Sequence, residues 1–538
     1  MAAADTQAQH ELKLIRDTIE SIWVAIILAF VLRAFVIEAF VIPTGSMAPT
    51  LLGQHFDMQC PSCGYQFAFA APERDIPHGG LLAKQTVAGA RCPNCQTTLG
   101  DTLPPSGGDR VLVLKYLYHF LEPQRWDVVV FKNPQDNRIM FIKRLLGLPG
   151  ETLEIVHGDV FIKKPGEKEY QVATKPKAAQ DAMWQLIFNN DYQPDYSKAT
   201  GAPRWEPAPG DKARWKAVDA GRAFDFAGGR TATLEFHADR RSFLPHYGYN
   251  LPTDEDNRIS SEKDLVTDLR LSCLYVPTAA ASSVSLGLTS FSDEFSVDLA
   301  SDGKATIHYN TLQGVSKQTI QLPPLTPDRG YELALEHADL GVRFYVDDSL
   351  VFQSNPEHYQ VTYHDLVNRL NEPMRIRQPQ VTLQADGGPC QLRHIKVMRD
   401  VYYTSTTLDL NNYETRLGDV AKLLGISRGS GARSGSWGGQ DNPITLARGK
   451  GDLDEFFMLG DNSPLSADSR MWTSAAPTLR LWKDPAAPHT LENLQYQLGT
   501  VPRYNLMGRA FFVYWPAGHR LPMLVPAVPN VGQMRMIR

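Results

Sequence analysis

Short runs of β-branched and aromatic residues, each closed by Gly, Asp or Pro, recur in this chain from residue 110 to residue 403. That rhythm leaves little room for long helices and predicts a mainly β protein. Arg110–Leu114, Asp127–Phe131, Met140–Leu146, Leu153–Val156 and Asp159–Ile162 read as a first group of strands, with a helix expected over Ala178–Asn189. A second group spans 204–403 and includes Leu269–Tyr275, Ser283–Leu288, Lys304–Tyr309, Tyr331–Leu335 and Val342–Val346. Short strands at this spacing predict a β-sandwich. A chain of 538 residues is too long for one ordinary core, so about three domains are expected. Its 43% apolar and 21% charged content argues against wholesale disorder. The net charge of −5 supplies no basic footprint for nucleic acid.

One segment stands apart. Ile22–Leu32 carries no charge but is short, and spanning the hydrocarbon of a bilayer takes about 20 residues. Ile15–Ser21 extends it on one side, and Arg33 can snorkel to the interface on the other. A buried core helix and a cleaved signal peptide are the alternatives. No small-x-small site follows the run, and the next motif begins almost at once, which favours a retained single-pass anchor. Lys13 and Arg16 precede the segment and only Arg33 follows closely, so the N-terminus is expected in the cytoplasm and the rest outside.

The chemistry concentrates at two places. Val41-Ile-Pro-Thr-Gly-Ser-Met-Ala-Pro-Thr-Leu51 puts Ser46 in a turn, and Phe141-Ile-Lys-Arg-Leu-Leu-Gly-Leu-Pro-Gly150 puts Lys143 inside an apolar strand. A serine hydroxyl is a weak nucleophile until a base takes its proton. No histidine lies in these stretches, but a lysine can serve if burial lowers its pKa from about 10.4 to about 7–8. The bland alternative, a lysine on the solvent face of a strand, fits poorly with the run of apolar neighbours.

Four stretches occur in order: Pro43-Thr-Gly-Ser-Met-Ala-Pro-Thr-Leu51, Arg125-Trp-Asp-Val-Val-Val-Phe131, Phe141–Glu151, and Leu459-Gly-Asp-Asn-Ser-Pro-Leu-Ser-Ala-Asp-Ser-Arg-Met-Trp472. Together they resemble the bacterial type I signal peptidases, membrane-bound Ser/Lys endopeptidases that remove secretory signal peptides. The resemblance implies an antiparallel β catalytic core behind an N-terminal transmembrane helix, in the bacterial cytoplasmic (inner) membrane with its catalytic domain extracytoplasmic. It implies Ser46 as the acylated nucleophile and Lys143 as general base, with no catalytic cofactor. Thr44 stands where the family usually has a serine lining the oxyanion hole, and the Ser46 N–H is the other donor. Ser466 matches a serine that holds the lysine amine. Asp468 and Arg470 match a supporting pair, with Asp468 expected to engage Arg144. Asp461 falls in the Gly460-Asp461-Asn462 turn beneath the site. The family's usual arginine after this turn is replaced by Ser463-Pro464-Leu465. Expected partners are preprotein signal peptides, cut after small-x-small sites, the lipid bilayer and the secretion machinery.

The matched stretches divide the chain. Residues 1–35 form the tail and anchor, and 36–59, 109–164 and 452–520 the discontinuous peptidase core. Residues 60–100 and 204–403 are inserts, 413–450 is a Gly/Ser/Arg-rich flexible loop, and 521–538 is a C-terminal tail. In the first insert, Cys60-Pro-Ser-Cys63 and Cys92-Pro-Asn-Cys95 suit a four-thiolate structural zinc ribbon. Two disulfides are the alternative in an oxidising space. Cys273 and Cys390 lie near the first and last strong strands of the larger insert, where a disulfide or two buried thiols would fit. That insert is similar in pattern to laminin-G-like, concanavalin-type jelly rolls, especially at Leu340–Phe352 and at the Ser301-Asp302-Gly303 turn. Such sandwiches bind glycans or proteins, and Trp205 and Trp215 read equally as core or as ligand platform. Two other readings stand beside the general peptidase. One is the same mechanism on a restricted client set chosen by the sandwich. The other is a non-catalytic binding scaffold.

Overall fold

The computed structural model describes residues 2–538 except 72–84, 195–202, 246–247, 250–264, 373–376, 406–435, 440–441, 450, 480–482, 485, 489, 496 and 517–530. Most of the loop expected over 413–450, and residues 521–530 of the expected tail, lie outside the described residues.

The central sheet takes its strands from both ends of the chain. They are β1 (Ile37–Val41), β2 (Arg110–Leu114), β3 (Val128–Asn133), β4 (Asp136–Gly147), β5 (Glu455–Leu459) and β6 (Leu506–Trp515). Their spatial order is β1-β2-β6-β3-β4-β5, all antiparallel, with Val501–Pro502 beside β5 and Arg535–Met536 beside β6. The end of the chain thus joins this sheet as a short strand, where only a tail was expected.

Sequence pattern explains which strands go inside. β2 alternates, with Val111 and Val113 buried between more exposed neighbours, as a half-buried strand should. Val128–Phe131 of β3 is apolar and buried at every position. β4 is exposed or half-buried over Asp136–Ile142 and buried from Lys143 to Gly147, so the lysine marks the point where the strand enters the interior. Val129 lies opposite Lys143 in the ladder, and Val128 and Leu459 flank Arg144.

The larger insert is a two-sheet sandwich. One sheet runs Trp215–Val218, Ala223–Phe226, Cys390–Arg399, Leu269–Pro277, Tyr331–Ala338, Gly341–Val346, Ser349–Gln353. The other runs Trp205–Pro207, Gly229–Phe236, Val381–Gly387, Ser282–Ser290, Asp293–Ala300, Lys304–Thr311, Gly314–Gln321. Strict alternation of burial along Leu269–Pro277 and Ser282–Ser290 turns one face of each sheet inward. Trp205 and Trp215 are part of the core so formed.

Two expectations fail here. The helix covers only Lys177–Met183, and Gln185–Asn189 is a strand paired with Cys390–Arg399. Leu186 and Phe188 pair with Met398 and Val397 in a distant ladder that local pattern does not reveal. Cys273 and Cys390 are free thiols, not a disulfide. Their strands are neighbours, but the register sets Cys390 opposite Pro277. A bridge needs Cα atoms about 4.4–6.8 Å apart, whereas four residues of strand span roughly 13 Å. Burial pushes both thiols up to about 12.

Sandwich and core meet around a buried charge cluster. Lys175 pairs with Asp339 and, at 2.8 Å, with Asp400, all three buried.

The N-terminal helix covers Ala2–Val31 and leads through one wide turn, Leu32–Val36, into β1. Among the described residues no helix is long and apolar enough to cross a membrane. Trp23, Val24, Ile27 and Phe30 of this helix are nevertheless exposed.

Candidate active site

Ser46 sits in a single tight turn, Gly45–Met47, directly after β1. The far end of β4 brings Lys143 to it. The amine donates to Ser46 Oγ at 2.5 Å, with Lys143 3% and Ser46 9% exposed. Lys143 Nζ also stands 5.2 Å from the centre of the Phe141 ring, two residues back on the same face of the strand. Thr44 Oγ1 donates to Ser46 Oγ at 3.3 Å, so one hydroxyl is touched by both neighbours.

The stretch after β5 locks this turn from beneath. Asn462 N–H donates to the Ser46 carbonyl at 3.1 Å, and its side-chain amide to the Gly45 carbonyl at 2.9 Å. Gly460 lies so close that a methyl group there would collide with the Ser46 carbonyl and the Ser466 hydroxyl. Asn462 fell within a motif already singled out, but its clamp on the serine turn has no local signature.

Arg144 corrects one expected pairing. It forms a bidentate ion pair with Asp461, at 2.8 and 2.7 Å, both side chains fully buried. Burial alone would lower the arginine's pKa, but the charge and hydrogen bonds of Asp461 raise it. Its remaining N–H groups reach the carbonyls of Trp126 and Arg538. The ladder decides the partner: Leu459 is opposite Arg144, so Asp461 lies two residues beyond. Asp468 instead holds Arg470, at 2.8 and 2.7 Å, and accepts the Gly460 N–H. Arg470 in turn donates to the carbonyls of Ser463 and Thr404. Tyr403 donates to Asp461 at 3.2 Å. Tyr403 and Thr404, just past the sandwich, were not foreseen because nothing in their own neighbourhood marks them.

Ser466 is buried, and its hydroxyl has no hydrogen-bond partner among the described residues. The expected bond to the lysine amine is therefore not made here.

The four cysteines of the small insert also converge. Two hairpins, His55–Gln59 with Gln66–Ala70 and Gln85–Arg91 with Thr98–Leu103, each carry one Cys-x-x-Cys knuckle at or near the turn. None of the four is in a disulfide, and their sulfurs lie within 4.8 Å of one another. Cys60 and Cys95 are 3.4 Å apart, and Cys63 and Cys92 are 3.6 Å apart. These spacings approach the edge of a sulfur tetrahedron, about 3.8 Å for metal–sulfur bonds of about 2.3 Å. They are far longer than a disulfide bond of about 2.0 Å.

The family model described as signal peptidase, peptidase S26, matches residues 15–63, 97–223 and 441–515. These stretches make up just under half of the chain, and over them it is similar to that family. Ser46 and Lys143 both lie within the matched stretches, while 64–96 and 224–440 lie outside them. Signal peptidase I of Leptolyngbya laminosa is 44% identical over 71 residues, 12% of this chain and 34% of the relative. Signal peptidase I of Rickettsia typhi is 26% identical over 162 residues, 30% of this chain and 48% of the relative. The chain therefore spans about a third to a half of the length of these curated relatives. Solved structures of low similarity include a carbohydrate-binding module, CBM66, from Bacillus subtilis, at 10% identity and a TM-score of 0.24 over 37% of this chain and 98% of that one. A Bacillus licheniformis β-glucanase stands at 9% and 0.25, over 38% and 95%. The sandwich is assigned from its strand order, not from those scores.

Proposed function

We propose that the chain is a bacterial signal peptidase that uses Ser46 and Lys143 to cut preproteins after small-x-small sites. The observation that carries this reading is the 2.5 Å contact between the lysine amine and the serine hydroxyl, both buried. Once uncharged, the amine accepts the Ser46 proton along that line while Oγ attacks the scissile carbonyl. The Ser46 N–H and the Thr44 hydroxyl receive the developing oxyanion, the latter by turning from Ser46 Oγ. The ammonium then hands its proton to the leaving amine, and the same lysine deprotonates the water that releases the acyl group. Ser466, buried and without a partner among the described residues, is available to hold the amine once Ser46 Oγ becomes acylated. Arg144–Asp461 and Arg470–Asp468 are positioning pairs that fix β4 and the turn after β5. The test is cleavage of a preprotein by the purified full chain. Ser46→Ala should abolish it, and cleavage at an undiminished rate would refute the reading.

The N-terminal helix is proposed to hold this site at a bilayer, supported by its exposed apolar side chains. Flotation of the protein with phospholipid vesicles should be lost when residues 2–35 are deleted. Equal flotation of the two proteins would refute this.

The four-thiol cluster is proposed to bind one structural zinc, a donor set that leaves no open ligand position. Metal analysis should find about one zinc per chain, and Cys92→Ser should lose it. A metal-free protein of unchanged melting temperature after chelation would speak against the site.

A further inference from the structure

The nucleophile turn is touched by a residue from outside the peptidase core. Phe243 and Leu265 belong to the sandwich core, and the Val266 N–H donates to the Phe243 carbonyl at 2.8 Å. Tyr249, between them in sequence, lies against Gly45. A methyl group on Gly45 would come within 3.0 Å of both the Cε1 and the hydroxyl oxygen of Tyr249. Gly45 is not in the left-handed backbone region, so the turn itself would accept any residue there. What crowds a side chain at 45 is the aromatic ring of Tyr249.

The cysteine hairpins hold the backbone that carries this ring. The Ala70 N–H, at the end of the first hairpin, donates to the Tyr249 carbonyl at 2.8 Å. Gly248 packs against Pro93 of the second knuckle. The same knuckle binds the sandwich through Asn94, whose side chain accepts from the Asn189 N–H at 2.6 Å and donates to the Tyr192 carbonyl at 2.7 Å. Tyr249 is therefore braced by both inserts at once.

We infer that Tyr249 is a specificity-determining residue, a wall beside the scissile bond that restricts the size of the peptide residues flanking the cut. It has this role only if Ser46 is the nucleophile. The scissile carbonyl must bring its carbon to Ser46 Oγ and its oxygen toward the Ser46 N–H and the Thr44 hydroxyl. Gly45 lies between those two donors, so the ring packed on Gly45 borders the space that the reacting peptide must enter. A ring there admits small flanking side chains and collides with large ones, a discrimination of the order of 10–200-fold.

The test uses the full chain and preprotein-derived peptides with alanine or leucine placed in turn on either side of the cut. The readout is the ratio of kcat/KM for leucine over alanine at each position. Tyr249→Ala should raise this ratio about tenfold or more at one flanking position, and Tyr249→Phe, which keeps the ring, should leave it within about twofold. A parallel measurement needs no turnover: labelling of Ser46 in the intact protein by a small and a bulky serine-directed phosphonate, followed by mass. Tyr249→Ala should speed the bulky probe selectively. An unchanged ratio in a Tyr249→Ala protein that melts like the wild type overturns the wall. So does an equal change in Tyr249→Phe, which would assign the effect to the hydroxyl. If Ser46→Ala still cleaves, or the wild type labels with neither probe, the failure lies in the reading of Ser46 and not in Tyr249 alone.

Discussion

Two lysines are buried among the described residues, and their surroundings suit them to opposite chemistry. Lys143 donates to a serine hydroxyl and stands over a phenyl ring. Lys175 is gripped by Asp339 and Asp400, with Asp159 nearby. Burial alone would lower the pKa of Lys175, but these carboxylates raise it well above the usual lysine value, so it stays charged. A hydroxyl leaves an amine free to lose its proton, whereas carboxylates hold the proton on. The first arrangement suits a base, and the second joins the sandwich to the peptidase sheet. Burial is common to both and decides neither.

The sharpest way to break this comparison is to make the same substitution at both positions. Lys143→Met should lower kcat about 10⁴-fold or more, as removal of a catalytic base does. The melting temperature should change little, because under that proposal an uncharged amine is replaced by an apolar group of similar length. Lys175→Met should do the reverse. It leaves Asp339 and Asp400 facing each other without their cation, at a cost of about 3–5 kcal/mol. Activity per folded molecule should survive. Denaturation and single-turnover cleavage on the two variants check both halves, and matched losses in both assays would erase the distinction.

Only one of these two lysines was legible in the sequence. Lys143 sits in a continuous apolar run beside a recognisable turn motif, so its burial and its partner serine follow from neighbours within a few residues. Lys175 draws its partners from Asp339 and Asp400, which only the folded sandwich brings near. The same boundary separates the other successes from the failures. The strands from Arg110 to Lys163 and the hairpin at Asp347-Asp348 follow from local pattern and turn chemistry. The strand Gln185–Asn189, the choice of Asp461 over Asp468 for Arg144, and the offset between Cys273 and Cys390 each depend on ladder register between distant segments. The approach of Tyr249 to Gly45 is of that kind too.

pH should separate the two lysines next. A base at Lys143 acts only without its proton, so under the proposed mechanism kcat/KM should rise with pH on the acid limb and fall about tenfold per unit as the amine becomes charged. A rate independent of pH between 5 and 10 would contradict a lysine base. Lys175 acts on stability with its own sign. Its folded value lies above its unfolded value, so its contribution is complete below the ordinary lysine range and is lost only as pH climbs toward the raised value. The rise in activity with pH should therefore not be accompanied by melting through Lys175 itself.

The smallest effect belongs to Asp400, whose carboxyl is raised to about 7, mainly by burial, against the pull of Lys175. Asp159 is also raised, by burial and by Asp268, while Asp268 is held below its usual value by His337. A carboxyl with a raised folded value binds its proton more tightly folded than unfolded. Between its unfolded value near 4 and about 7, stability should therefore fall as pH rises, by at most about 1.4 kcal/mol per unit for one such group. Asp268 contributes the opposite slope at lower pH, where protonating it loosens its bond to His337. Asp400→Asn removes one titrating group while keeping a polar side chain beside Lys175. Its stability curve should be flatter from pH 5 to 7 than the wild type's, and an identical slope would mean that Asp400 is already ionised through that range, with Lys175 compensating its charge in full.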